Sequence, residues 1–355
     1  MNNTFGINGA GHTPETALEL ARLIASNKFA SEDEKDLFQF LTEWFDATPT
    51  ISVNTSGSTG KPKTMLLDKE RVKHSAQQTV DFFQLKRGMD VLLCLNTNYI
   101  AGKIMVVRAV EHGMNIITKG VSARPIKNEQ QQYHFAAMVP MQVEQSLNDL
   151  KHIDSLIIGG APISPTLEEQ LQHIETACWA TYGMTETITH VALKKLNGLD
   201  KSTVFTALPH VAFTTDERSC LCIVAPFLND EPVQTNDIVE LIDEKHFKWL
   251  GRHDFVINSG GVKLFPEQIE KKLTAHIKGN FIVASLPDAT LGSKAVLICE
   301  EIQAQLTLEN MKKYLDKYEV PHAVYMGKLQ RTATGKIDRR ATQEKLSEMH
   351  QMELK

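Results

Sequence analysis

The sequence predicts an α/β protein. A large N-terminal domain over residues 1–250 combines parallel sheet layers with a small β subdomain, and an α+β domain follows over 251–355. Three observations predict this. Short, continuous apolar runs (VLLCL at 91–95, NIIT at 115–118, HFAAMV at 134–139, SLIIGG at 155–160, CWATYG at 178–183) alternate with helical segments. Strands covered on both faces read this way. After about residue 200 the strand candidates HVAFTTD, SCLCIVAP, DIVELID and HFKWLG follow closely, with little helix between them. From Gly251-Arg252 onward the pattern becomes hairpin, helix, strands and helix, over a length typical of a small domain.

In chain order, residues 14–27 place Leu18, Leu20, Ala21, Leu23 and Ile24 at helical spacing. Ser31-Glu32-Asp33-Glu34 reads as a capping box ahead of Leu37, Phe38, Leu41 and Phe45. TPTISV (48–53) is a short β-rich run that leads into NTSGSTGKPK (54–63). Asp68 caps a predicted helix burying Val72, Ala76, Val80 and Phe83. Further helices fall at 102–111, 140–150 and 164–173. In the last hundred residues, FVIN and VKLF form a hairpin through Ser259-Gly260-Gly261. A helix from Pro266 to His276, strands NFIVASL and KAVLICE, and a helix at 308–318 complete the domain.

Composition narrows the class. The chain has 355 residues, 42% hydrophobic and 23% charged, with a net charge of −5, which argues against a nucleic-acid binder. No apolar run approaches the ~20 residues that span a bilayer. The first twenty residues lack a basic segment followed by an apolar stretch, so neither a signal peptide nor a membrane span is expected, and the expected location is the cytoplasm. Cys94, Cys178, Cys220, Cys222 and Cys299 are odd in number and sit mostly in apolar runs, so they read as buried small hydrophobes.

The chemistry centres on NTSGSTGKPK. Gly57 and Gly60 let the backbone turn its N–H groups toward an anion. Ser56, Ser58 and Thr59 can donate to phosphate oxygens, and Lys63 supplies a point charge. It is not the common P-loop: only two residues separate Gly57 from Gly60, and Pro62 follows the first lysine. The string from Thr55, TSGSTGKPK, resembles the phosphate loop of the adenylate-forming superfamily, which includes acyl- and aryl-CoA synthetases, peptide-synthetase adenylation domains and luciferases.

Five further motifs follow in that superfamily's order. SLIIGGAPIS puts Gly159, Gly160 and Ala161 past a strand, where a flat base can approach the backbone, although such turns also occur without a ligand. TYGMTET supplies Tyr182 and Gly183 beside the base, Thr185 for a phosphate and Glu186 as a ligand for Mg²⁺. Asp237 in QTNDIVEL resembles the aspartate that accepts from both ribose hydroxyls, with Asn236 where glycine is more frequent. GRHDFVINSGGVKLFPEQIE resembles the domain junction. There the resemblance assigns Arg252 to the ribose and phosphate side, Asp254 to the hinge, and Ser259, Gly260 and Gly261 to the path of CoA. In QRTATGKIDRR it implies that Lys336 serves adenylation from a mobile lid domain, with Gln330 replacing a frequent proline.

What the resemblance implies is a two-step ligase using ATP, Mg²⁺ and a small carboxylic acid, with CoA as the thiol acceptor. Relative to the superfamily the chain is short before its phosphate loop. Within CLNTNYIAGKIMVVR (94–108), Asn98, Lys103 and Arg108 occupy the acyl region, together with His190 from TITH. Lys103 and Arg108 lie five apart on one helix, so one of them is expected to face the pocket. The short length, NYIAGK and TITH most resemble the compact o-succinylbenzoate–CoA ligases of menaquinone synthesis. Alternatives are a CoA or carrier-protein ligase for another aryl or fatty acid, or a non-catalytic nucleotide-binding relative. A homo-oligomer is compatible with the sequence.

Overall fold

The computed structural model describes residues 4–55, 63–301, 307–332 and 337–352. The chain opens with a hairpin that periodicity does not reveal: β1 (Phe5–Ile7) and β2 (Ala10–His12) turn through Asn8 and Gly9, both at positive φ. Three-residue strands are too short to show alternation; the Asn-Gly dipeptide is the one signal for them.

Helices α1 (Pro14–Ser26) and α2 (Glu32–Phe45) follow. Thr13 and Thr16 cap α1 reciprocally, with Pro14 in the first turn. Ser31 accepts from the Glu34 N–H to cap α2, whose first turn is acidic, as the helix dipole favours. The hairpin β3 (Thr50–Thr55) and β4 (Lys63–Asp68) flanks the glycine-rich segment. Asp68 then caps α3 (Lys69–Phe83) by accepting from Arg71 N–H.

The α/β alternation is as the sequence predicts. It runs β5 (Asp90–Leu93), α4 (Ile100–His112), β6 (Asn115–Thr118), β7 (Tyr133–Met138), α5 (Pro140–Ser146), β8 (Ile153–Ile158), α6 (Pro165–Gln170) and β9 (Ala177–Gly183). Among the described residues, strands β9-β8-β7-β5-β6-β1 lie parallel in that spatial order. The order reverses at β5, with β6 on one side and β7 on the other. Ligands gather outside the carboxyl ends of strands at such a point. Helices α1 to α4 bury their apolar sides on one face of the sheet, and α5 and α6 cover the other.

The all-β stretch comprises β10 (His190–Lys195), β11 (Phe205–Ala207), β12 (Ala212–Thr215), β13 (Cys220–Val224), β14 (Val233–Asp243) and β15 (His246–Arg252). It joins the same sheet edge to edge through antiparallel β9–β10 pairing, giving, among the described residues, thirteen strands in order β12-β13-β14-β15-β11-β10-β9-β8-β7-β5-β6-β1-β2. The open edge of β9 is thereby paired, which removes an exposed ladder.

A second sheet holds β16 (Ile257–Ser259), β17 (Val262–Leu264), β18 (Phe281–Asp288), β19 (Gly292–Cys299), β20 (Val324–Met326) and β21 (His350–Met352). Helices α7 (Pro266–Leu273), α8 (Leu308–Tyr314) and α9 (Arg339–Glu344) accompany it. α7 and α8 end earlier than the sequence pattern implies. Its own core includes Ile257, Leu264, Ile269, Leu273, Val283 and Leu297. Gln268 of α7 donates to the Trp249 and Leu250 carbonyls of β15, tying this unit to the large sheet. All five cysteines are buried and free.

One ion pair, between buried Lys103 and half-buried Glu43, joins three elements. Lys103 Nζ of α4 meets Glu43 Oε2 of α2 at 2.5 Å and the Ser52 carbonyl of β3 at 2.7 Å, while Ser52 N–H donates to Glu43 Oε1 at 2.6 Å. Breaking such a pair strands a charge. Glu43→Gln is therefore expected to cost about 3 kcal/mol in urea unfolding, and adding Lys103→Met should restore most of it. An additive second loss would contradict the coupling.

Candidate active site

The candidate residues divide into three groups by position. Ser56, Gly57, Ser58, Thr59, Gly60 and Lys336 lie outside the described residues. Thr55 and Lys63 face each other in the last pair of the β3–β4 ladder.

A second group stands at the carboxyl ends of β8 and β9. Gly159 follows β8, where a Cβ would overlap the Thr181 hydroxyl of β9; Gly160 has φ +80°, and Ala161 is exposed. At Gly183 a Cβ would overlap the Thr189 carbonyl and the His190 Cα, so only glycine permits β9 and β10 to close together there. Between them Thr185–Thr187 forms a single 3-10 turn. The Thr187 hydroxyl accepts from Met184 N–H and donates toward the Met184 and Thr189 carbonyls. Ile188 sits at φ +64°, a conformation that a β-branched residue adopts only under constraint. Asn229 Nδ2 donates to the Glu186 carbonyl at 2.9 Å. The Glu186 carboxylate is exposed and unpaired among the described residues, and its oxygens are hard donors of the kind that would hold Mg²⁺.

Asp237, on β14, is 6% exposed. Tyr182 O–H donates to its Oδ2 at 2.8 Å and Trp249 Nε1–H to its Oδ1 at 3.1 Å. Arg252 lies opposite Asp237 in the β14–β15 ladder, but its hydrogen bond goes to Asp254 Oδ2 at 2.9 Å. Asp254 is exposed, two residues beyond β15. Ser259 is buried at the end of β16, and Gly260 and Gly261, at φ +57° and +84°, make the two-residue turn into β17.

The third group is the acyl set, which the structure separates. Arg108 and His190 come together; Lys103 and Asn98 do not join them. Lys103 is engaged by Glu43, and Asn98 Nδ2 donates to Asp36 Oδ2 at 2.6 Å on the surface. Arg108 is 1% exposed. Its guanidinium lies 3.3 Å from Met105 Sδ and 3.4 Å from Thr189 Oγ1, over the Phe135 ring, with Nε unpartnered. No carboxylate pairs with it among the described residues, and burial pushes its pKa down to about 9. His190, also buried, lies 3.4 Å from the hydroxyls of Thr79 and Thr189. Burial first, and then the Arg108 charge, hold it well below the ordinary histidine range, so it is neutral.

Sequence reasoning missed Trp249, Thr79 and Thr189. Only the β14–β15 register brings Trp249 beside Asp237, and only the approach of α3 to the start of β10 brings Thr79 to His190.

The AMP-binding enzyme family model matches residues 24–214, more than half of the chain. The chain belongs to the AMP-binding enzyme family. It shares 34% identity with an acyl-CoA synthetase (AMP-forming)/AMP-acid ligase II-like protein from Dyadobacter fermentans, over 92% of this chain and 98% of that one, at a TM-score of 0.62. It is 26% identical to the 2-succinylbenzoate–CoA ligase of Listeria monocytogenes, over 92% of this chain and 75% of the relative. It is 25% identical to that of Salmonella typhimurium, over 76% of this chain but only 62% of the relative's length.

A pH dependence follows from His190. With its folded pKa below the unfolded value near 6.5, the unfolded chain takes up the extra proton as pH falls. His190 should cost nothing above that pH, and up to about 1.4 kcal/mol per pH unit below it. Urea unfolding between pH 7.5 and 5 should show a slope that His190→Gln reduces; an unchanged slope would mean that His190 titrates normally.

Proposed function

We propose that this chain is an ATP-dependent acid–CoA ligase whose acid is o-succinylbenzoate, and that Arg108 reads the carboxylate that does not react. The observation that carries the reading is an arginine buried to 1% exposure, with Nε unpartnered and no acid beside it among the described residues. A buried cation without a counter-charge is costly, and a second substrate carboxylate would relieve that cost. Neutral His190, with Thr79 and Thr189, adds hydrogen-bonding capacity without competing charge. The named Listeria and Salmonella relatives support the same acid.

In the proposed reaction, a carboxylate oxygen attacks the α-phosphorus of ATP and the bond to the β-phosphate oxygen breaks, releasing pyrophosphate. The CoA sulfur then attacks the acyl carbon, AMP leaves with the bridging oxygen, and the thiol proton passes to solvent. Mg²⁺ held by Glu186 would offset charge on the phosphates. The proposed division at residues 250 and 251, with Asp254 as hinge, lets Lys336 approach the α-phosphate and then withdraw so that the thiol enters past Ser259-Gly260-Gly261.

Arg108→Ala should raise KM for o-succinylbenzoate by the equivalent of roughly 2–5 kcal/mol while KM for ATP stays near the parent value. Lys103→Ala should leave acid preference unchanged, since Glu43 already occupies that cation. Equal effects of the two variants on acid preference would remove Arg108 from the role.

Lys336→Ala should suppress adenylate formation by about 100-fold or more, yet leave thioester formation from supplied acyl-adenylate largely intact. Matching losses in both half-reactions would show that this lysine is not specific to the first.

A further inference from the structure

We infer that Trp249 is a positioning residue for the nucleotide ribose and that the Tyr182 hydroxyl holds, in the free protein, the place of one ribose hydroxyl. The inference rests on the nucleotide reading above. A buried carboxylate needs hydrogen-bond donors from its surroundings. Among the described residues Asp237 has two side-chain donors, one on each oxygen: Tyr182 O–H at 2.8 Å on Oδ2 and Trp249 Nε1–H at 3.1 Å on Oδ1. Arg252 NH1 stands 4.0 Å from Oδ1 and is already committed to Asp254. The carboxylate read as the acceptor for a vicinal diol therefore already holds a donor on each oxygen before any nucleotide arrives.

The two donors differ in how they are held. Trp249 lies inside β15 and pairs with Val239, two residues along β14 from Asp237. Sheet register aims the indole at the carboxylate. A bulge between Ile238 and Val239 brings the two side chains together diagonally. Tyr182 is the penultimate residue of β9, next to Gly183 and the exposed turn that carries Glu186. Its ring rests edge-on against Phe247, with centroids 5.0 Å apart, and tilted on Phe205 at 5.8 Å. Its hydroxyl keeps its proton, because burial and the Asp237 charge push the phenol above its ordinary range.

Nucleotide binding is then an exchange of donors at Oδ2, phenol out and ribose hydroxyl in. Trp249 stays on Oδ1 and fixes the carboxylate plane. Affinity is reduced by the strength of the phenol contact that must be broken.

Calorimetric dissociation constants for AMP, 2′-deoxy-AMP and 3′-deoxy-AMP on the full chain test this. Tyr182→Phe keeps the ring but removes the competing donor, so AMP should bind about fivefold tighter. Trp249→Phe should weaken AMP about tenfold and bring the AMP-to-deoxy ratios toward one, and Trp249→His, which retains an N–H, should restore part of that discrimination. Weaker or unchanged AMP binding by Tyr182→Phe would overturn the exchange. Unchanged ratios in Trp249→Phe would overturn the positioning role. Should the parent chain fail to bind AMP at all, the nucleotide reading falls and this inference falls with it, an outcome distinct from either variant result.

Discussion

The arrangement of the candidate site depends on the reversal of the chain between β9 and β10. Gly183 lets the two strands close to a spacing that no side chain tolerates, and Thr187 ties the intervening turn to the Met184 and Thr189 backbone. Ile188 is held at positive φ as a result. Three placements accompany the same reversal: Glu186 is left exposed, the Tyr182 hydroxyl reaches Asp237, and His190 is buried beside Arg108. Because β10 also joins the all-β strands to the parallel ones, the same reversal carries Asp237 and Trp249 into one sheet with the carboxyl ends of β8 and β9.

The contrast between Lys103 and Arg108 shows how packing assigns roles that spacing leaves open. Both are buried cations on α4. The side of α4 that meets α2 and β3 brings Lys103 to Glu43 and the Ser52 carbonyl. The side that meets β7 and β10 places Arg108 among Phe135, Met105, Thr189 and His190, none of them acidic. A paired interior charge is part of the scaffold; the unpaired one is what the proposed reading of a second substrate carboxylate rests on.

The parallel sheet, its alternating helices and the caps at Ser31 and Asp68 were legible in the sequence, because each rests on local periodicity or a capping residue. So were the burial of the cysteines and the Gly260-Gly261 turn. The edge-to-edge joining of the all-β strands was not, since sheet pairing is set by non-local ladders that short strands do not encode. Motif order placed Asp237 and Tyr182 in one site, but their direct hydrogen bond depends on the approach of strands fifty-five residues apart. Trp249 was invisible for the same reason: its role comes from register on β14 and not from any neighbour in sequence. The separation of Asn98 and Lys103 from Arg108 needed the packing of α2, which follows only once the helix faces are known.

The central claim is that the chain activates a dicarboxylic aryl acid. ATP–pyrophosphate exchange across a panel of acids tests it most directly. The account predicts the highest kcat/KM with o-succinylbenzoate, and values about 30-fold or more lower for benzoate and for fatty acids, which lack the second carboxylate. Exchange as efficient with a monocarboxylic acid, or no acid-dependent exchange with any of them, would contradict it.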